Sequence, residues 1–293
     1  MLLENDQRWA VHKGDCIEHM HDMPKHSVDF CVFSPPFPSL FAYTDQACDI
    51  GNSESFSGDA RLHLLWFVRA LLPVIKPGRV VVVHVQNIAA RKITGENSMV
   101  DLRGIMIRLA KRAGFVYEAD WAVTKNPQSQ AIRTRSRKLQ FTCLERDRAG
   151  SAPANNDWLI KLRAPGENEV PIDQAKISRN EWIEWAEGVW DWRTIRETDT
   201  LNTKAAKSES DTRHICPLQL PVIKRCVRLY SNPDEVVFSP FTGIGSEGWV
   251  SLVEGRRFYG CEIKDEYHAA ACKNLAAAER HEDDQMALFE GVA

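Results

Sequence analysis

No two of the chain's eight cysteines form a C-x-x-C pair, which argues against a zinc site and against a disulfide framework. They read as buried thiols of a reducing compartment, and no metal is expected. No apolar run reaches eighteen residues and no leader pattern opens the chain, so neither a membrane span nor a secretory signal is expected, and the reading is cytoplasmic. Internal repeats and long low-complexity tracts are missing too. Nor is there an excess of positive charge: 37 Lys and Arg face 40 Asp and Glu, a net −3, so total charge says nothing for a nucleic-acid partner. What is present is ordinary for a globular protein. With 293 residues, 44% hydrophobic and 26% charged, the chain can bury a sizeable core, and one α/β domain with an inserted lobe is the natural expectation.

The first informative stretch is Ser34-Pro35-Pro36-Phe37. The run before it, Val28-Asp29-Phe30-Cys31-Val32-Phe33, is apolar and β-prone and reads as a buried strand. Two successive prolines fix φ and donate no N–H, so the strand stops there and its carbonyls point into open space. A flat group carrying an NH₂ can lie on Phe37 and donate to the Ser34 hydroxyl and the Pro35 carbonyl, an arrangement suited to the exocyclic amine of a nucleobase. A plain surface turn explains the same four residues equally well.

A second motif lies near the other end. Val236-Val237-Phe238 reads as a short buried strand, followed by Ser239-Pro240-Phe241-Thr242-Gly243-Ile244-Gly245-Ser246-Glu247-Gly248. The glycines permit a tight turn and close approach of a ligand. The strand Arg257-Phe258-Tyr259-Gly260-Cys261 then delivers Glu262 at its end, where an acid typically binds a ribose hydroxyl pair. Gly243, Gly245 and Gly248 match G-x-G-x-x-G, so a nicotinamide or flavin site competes. After Glu262 only one helix, about Asp265 to His281, and a polar tail are expected, so the remaining strands must come from the N-terminal half. The nucleotide-binding half follows the S-P-P-F half.

This order resembles the β-class DNA amino-methyltransferases, S-adenosylmethionine enzymes that methylate adenine N6 or cytosine N4. The resemblance extends over most of the chain. Gly14-Asp15-Cys16 with Met23-Pro24-Lys25-His26-Ser27-Val28-Asp29 looks like the family's opening strand and helix. Leu71-Leu72-Pro73-Val74-Ile75-Lys76-Pro77-Gly78-Arg79-Val80-Val81 is similar to its helix, K-P-G turn and central strand. His214-Ile215-Cys216-Pro217-Leu218-Gln219-Leu220-Pro221 looks like its H-P-x-Q-x-P segment, and Phe241-Thr242-Gly243-Ile244-Gly245 stands where the family has F-x-G-S-G. Two positions depart: the family usually has Asp where this chain has Ser239, and a small residue where it has Ile244.

The resemblance implies a Rossmann-like methyltransferase sheet, α/β and circularly permuted, with an inserted target-recognition lobe. The implied division is 1–124 for the catalytic half, 125–212 for the lobe and 213–293 for the cofactor half. It implies S-adenosylmethionine held by Asp15 and Cys16 at the adenine end and His214 and Gln219 at the methionine end. Ser239, Phe241, Thr242, Gly243, Gly245 and Glu262 complete that set. Ser34, Pro35, Pro36 and Phe37 are the implied catalytic residues, double-stranded DNA the implied partner, a homodimer the implied assembly, and a bacterial or phage gene the implied source. An amine inside a duplex is out of reach, so base flipping is implied. Adenine N6 is the favoured target and cytosine N4 the alternative. RNA or a protein glutamine as substrate, and a DNA-binding protein with a degenerate cofactor site, remain open. The chain has no Pro-Cys dipeptide, which disfavours cytosine-C5 methylation, chemistry resembling that of a cysteine nucleophile.

Charge is uneven along the chain. Thr124 to Arg148 holds Lys125, Arg133, Arg135, Arg137, Lys138, Arg146 and Arg148 against Glu145 and Asp147, a local surplus able to hold a phosphate backbone. Arg133, Arg135, Arg137 and Lys138 are the densest part; a solvated loop is the other explanation. Replacing the three arginines by alanine is expected to weaken DNA binding and flatten its salt dependence, read by titration at two ionic strengths. Elsewhere, residues 57 to 76 read as a helix capped by Ser57 or Asp59, with Leu62, Leu65, Trp66, Arg69 and Leu72 at helical spacing. Val80 to Val85 reads as a central strand, Met99 to Ala113 as a helix, and Phe115 to Val123 as a strand nearer an edge. From about Lys125 to Arg213 strand–helix alternation is lost, and Trp182, Trp185, Trp190 and Trp192 are expected to form a small core of their own, direct base stacking being the alternative.

Overall fold

A strand that is apolar at nearly every position can bury both faces only in a sheet covered on both sides. The computed structural model, which describes residues 2–37, 44–52, 58–89, 98–134, 141–202 and 217–290, contains that sheet. The chain opens with β1 (Trp9–Lys13) and α1 (Cys16–Asp22), then β2 (Phe30–Phe33), α2 (Asp59–Leu71) and β3 (Val80–Gln86). A small ribbon of β4 (Ile88–Ala89) and β5 (Met99–Val100) leads to α3 (Leu102–Ala113) and β6 (Val116–Val123). Next come α4 (Pro127–Thr134), α5 (Phe141–Glu145), β7 (Asp157–Arg163), α6 (Arg179–Ala186) and β8 (Val189–Trp190). The last elements are α7 (Leu220–Tyr230), β9 (Val236–Ser239), α8 (Ser246–Val253), β10 (Arg257–Glu262) and α9 (Asp265–Glu290).

The eight-stranded sheet is ordered β1-β10-β9-β2-β3-β7-β6-β8. Its first five strands run parallel, and β7 is antiparallel to both β3 and β6. Strand faces alternate as the pleat demands. Cys31, Phe33, Val81 and Val83 join α2 and α3 in one core, while Phe30, Val32, Val80 and Val82 join α7, α8 and α9 in the other. The decisive pairing is β2 with β9, where Phe30 lies beside Val237 and Cys31 beside Phe238. From β2 the chain moves to β3; from β9 it moves away to β10. The sheet therefore reverses its winding between these two strands, and a crevice opens beyond their C-terminal ends.

Several sequence expectations need revision. The helix expected over 57 to 76 is α2, with Gly58 at its N-cap and no side-chain cap bond; Asp59 is its first helical residue, and Ser57 lies outside the described residues. It buries Leu64, Phe67, Val68 and Leu71 and leaves Leu62 and Trp66 outward, a face rotated from the expected one. The tryptophans form no separate core. Trp190 and Ile195 join the sheet's second core, Trp185 packs with Trp190 around the Arg225 guanidinium, and Trp182 is 60% exposed. Within the stretch expected as an insertion, β7 pairs residue for residue with β3, so that stretch contributes a strand to the central sheet.

At the N-terminal ends of the central strands, opposite the crevice, Arg79 is 2% exposed and binds Asp29 and Glu235, the acids just before β2 and β9. Its Nε donates to the Asp29 carbonyl at 2.9 Å. The same two strands that flank the crevice are thus tied at their other ends.

Candidate active site

β2 ends at Phe33 and β9 at Ser239, and the loops after them line one cleft with an empty volume of about 1120 Å³, its open mouth included. Ser34, Pro35, Pro36 and Phe37 line it from the first loop, and Phe241, Thr242 and Gly243 from the second. Phe37 packs on the first core, and Phe241 rests on Phe33 and Phe67 with ring centroids 5.8 and 4.8 Å away. The aromatic support gives this part of the cleft wall an apolar backing.

The glycine-rich turn is built for close approach. Gly243 has φ of 54° with open space where a Cβ would stand, and Gly245 has φ of 89° at the N-cap of α8, conformations that favour glycine. Gly243 N–H donates to Glu262 Oε2 at 2.7 Å and Lys264 N–H to Oε1 at 2.9 Å, fixing the carboxylate at the end of β10. Asp15 also lines the cleft, and its Oδ1 accepts the Ile17 N–H at 2.9 Å to cap α1. Cys16 lines it as well, its thiol pushed well up by burial. Thr242 donates its hydroxyl to the Ser239 carbonyl at 3.1 Å, so it shapes the turn.

Three expected cofactor residues are not on the wall. Gly245 packs against Ala271 of α9. Gln219 is buried at the N-cap of α7 while its neighbours Pro217 and Leu218 line the cleft. Ser239 is fully buried with its Oγ lacking a hydrogen-bond partner among the described residues. His214, Arg135, Arg137 and Lys138 lie outside the described residues, as does the Arg133 side chain. Lys125 is not a surface cation: its Nζ sits 2.5 Å from Asp157 Oδ2, with 12% of the side chain exposed.

The sequence reading missed Asp49, Glu247 and His84. Asp49 lines the cleft and accepts the Thr44 and Gly51 N–H groups, each at 2.8 Å. His84 Nδ1 lies 3.1 Å from Ser34 Oγ, and its Nε2 lies 3.1 Å from Asp157 Oδ2. The second contact is off the in-line direction of a full hydrogen bond. Gln86 Nε2 donates to Asp157 Oδ1 at 3.1 Å. Burial pushes the Asp157 carboxyl up, but His84 and then Lys125 outweigh it and hold the group below the usual carboxylate range. Among the described residues no cluster of three or more His, Cys, Asp or Glu can hold a metal, and no helix is long and apolar enough to cross a membrane.

Two cleft acids behave oppositely to Asp157. Burial pushes Glu262 up to about 7 against the backbone N–H groups that favour its ionised form, and pushes Glu247 up to about 8, with Glu262 adding to the rise. A folded pKa above the unfolded one means the unfolded chain ionises first as pH rises, so these groups remove stability between about pH 4.5 and 8. Glu247→Gln is therefore expected to stabilise the ligand-free protein by about 1–4 kcal/mol at pH 8.5. Near pH 4.5 it should change little, as urea unfolding at the two pH values will show.

The match to the family described as DNA methylase runs over residues 28–273. The type II methyltransferase M.BglI of Bacillus subtilis is 31% identical over 108 residues, 36% of this chain and 27% of that protein. The DNA adenine methyltransferase YhdJ of Escherichia coli (strain K12) is 34% identical over 73 residues, 24% of this chain and 25% of that one. The matches thus span about a quarter of the length of these relatives. Among solved structures, TTHA0409 of Thermus thermophilus, complexed with S-adenosyl-L-methionine, aligns with a TM-score of 0.67 at 20% identity over 93% of this chain and 94% of that one. The cytosine-N4-specific PvuII DNA methyltransferase aligns with a TM-score of 0.66 at 17% identity over 92% and 86%. Those two likenesses establish the mixed α/β fold around a central sheet. The family match over most of the chain establishes more: this protein belongs to the N6/N4 DNA methylase family, as a β-class DNA amino-methyltransferase.

Proposed function

We propose that the chain transfers a methyl group from S-adenosylmethionine to the exocyclic amine of a base flipped out of double-stranded DNA, adenine N6 being favoured and cytosine N4 the alternative. The carrying observation is that Ser34-Pro35-Pro36-Phe37 and the Phe241–Gly243 turn line one cleft although they lie far apart in sequence. When bound, the cofactor supplies an electrophilic methyl. Glu262 is placed to accept ribose hydroxyls, Gly243 offers close backbone approach, and Asp15 and Asp49 stand on the wall. On the substrate side, Ser34 Oγ and the Pro35 carbonyl accept the amine's hydrogens and favour a tetrahedral, nucleophilic nitrogen, while Phe37 stacks the base.

The cofactor's positive charge and hydroxyl donors favour ionised Glu262 and Glu247. Binding then expels protons that the empty cleft retains near neutrality. Affinity for S-adenosylmethionine is expected to rise with pH between about 6 and 8, approaching about tenfold per unit where one proton is released. Calorimetry in buffers of different ionisation heat reads that proton directly; a flat profile contradicts the assignment of these acids.

The target-recognition role is assigned to residues 125–212, excluding β7 and β8, which are committed to the sheet. Ile132, Phe141 and Leu144 are exposed on α4 and α5 beside the basic stretch, where they are available to a partner. A homodimer and a bacterial or phage cytoplasm belong to the same reading, and light scattering gives the assembly. Nucleoside mass spectrometry of treated DNA decides the base: N6-methyladenine supports the favoured target, and N4-methylcytosine alone replaces it with the alternative.

A further inference from the structure

The contacts behind Ser34 form a chain leading away from the cleft. The β2–β3 register places Phe33 beside Val83, so Ser34 and His84 follow at neighbouring positions where β2 gives way to the loop. Their side chains meet at 3.1 Å, through Oγ and Nδ1. On the far side His84 Nε2 stands 3.1 Å from Asp157 Oδ2, and Asp157, only 6% exposed as a side chain, is held in place by Lys125 and Gln86. His84 does not line the cleft; only Ser34 does. His84 and Asp157 are both largely enclosed, with 12% and 6% of their side chains exposed, and a substrate that needs only acceptors has no direct use for them.

We propose that Ser34, His84 and Asp157 form a proton relay that carries the amine's proton out of the cleft, with His84 as a positioning residue acting through Ser34. The inference rests on the methyl-transfer reading above. In the transfer a nitrogen–carbon bond forms and the sulfur–carbon bond breaks, leaving a neutral thioether and a positively charged methylated amine. That amine must lose one proton. Ser34 Oγ accepts it while passing its own hydroxyl proton to His84 Nδ1, so the charge that began on sulfur ends on an imidazolium facing the Asp157 carboxylate. The relay requires Nδ1 to be the unprotonated ring nitrogen, and the negative charge of Asp157, 3.1 Å from Nε2, draws the ring proton to that side. Among the described residues the charged partner of His84 is Asp157 on β7, and Lys125, just after β6, pairs with that same carboxylate and helps keep it ionised.

A Ser–His–Asp array also serves acyl transfer, but that use fails here. The residue after a nucleophilic serine normally supplies a backbone N–H to the oxyanion, and Pro35 and Pro36 have none.

The test is single-turnover methyl transfer from labelled S-adenosylmethionine to a duplex carrying the chain's own target, mapped by methylome sequencing. H84Q is expected to slow transfer about 100-fold while leaving S-adenosylmethionine affinity within about twofold. In an S34A background H84Q should add nothing further, because the relay is already cut. If H84Q does not fold, as judged by cofactor binding, D157N takes its place and is expected to slow transfer about tenfold or more. A rate within about twofold of wild type in the folded variant, or losses that multiply in the double variant, overturns the relay and leaves the functional reading standing. A folded wild-type chain that transfers no methyl to any DNA overturns both.

Discussion

Replacing Ser34 by alanine is expected to slow methyl transfer by about 100- to 1,000-fold and to leave affinity for S-adenosylmethionine within about twofold. The hydroxyl stands on the cleft wall at the end of β2, 3.1 Å from His84 Nδ1, whereas the residues proposed to hold the cofactor belong to other loops of the cleft. Removing it deletes an acceptor where positive charge develops on the amine, together with the entry to the relay. Both losses are confined to the transition state, so they lower turnover without loosening ground-state binding. Phe37→Ala is the contrasting variant. Loss of a stacking face costs roughly 1–3 kcal/mol and falls on capture of the base as well as on turnover. Labelled-methyl initial rates paired with calorimetry separate the two patterns, and full rates in Ser34→Ala contradict the pocket.

The second large effect lies at the other end of the same strands. Arg79→Ala is expected to destabilise the fold by about 3–5 kcal/mol, the loss typical when one partner leaves a buried ionic cluster. Arg79 is 2% exposed, pairs with Asp29 and Glu235, and donates to the Asp29 carbonyl and to Val170 O at 2.9 and 3.3 Å. Without it two acids crowd together below the surface, with Lys76 at 2.5 Å the remaining cation beside Asp29. Lysine is a poor replacement because one ammonium cannot span both acids and both carbonyls. Urea unfolding with an unchanged slope reads the loss. Because β2 and β9 flank the crevice, weakened cofactor binding should accompany it near the unfolding transition.

What the sequence disclosed follows from where each signal is written. β2, β3 and β9 were legible because strands buried on both faces appear as apolar runs, β2 stopping at Ser34-Pro35 and β9 at Ser239-Pro240, and β10 because it follows the glycine turn and its helix and delivers Glu262. Both halves of the cleft are loop motifs directly after such strands, so a reading in chain order finds them. β7 was not recognised because the Gly- and Pro-punctuated, polar stretch around it breaks the strand–helix alternation. The α2 face was misread because Leu62 and Trp66 share helical spacing with buried neighbours yet point outward. His84 sits inside the valine run of β3 and carries no local signal at all; only the pairing of β2 with β3 brings it to Ser34. Asp157 meets it only through the antiparallel β3–β7 ladder. Residues joined by register across strands cannot be found from spacing along the chain.

The central claim is that an amine held by the Ser34 loop faces a methyl donor held by the Gly243 turn. Methylome sequencing of DNA from cells expressing the wild-type chain or its Ser34→Ala variant tests it most directly. The account expects one short sequence motif modified on an exocyclic amine by the wild type and unmodified with the variant. An unmodified genome despite folded, cofactor-binding wild-type protein, or equal modification by the variant, contradicts it.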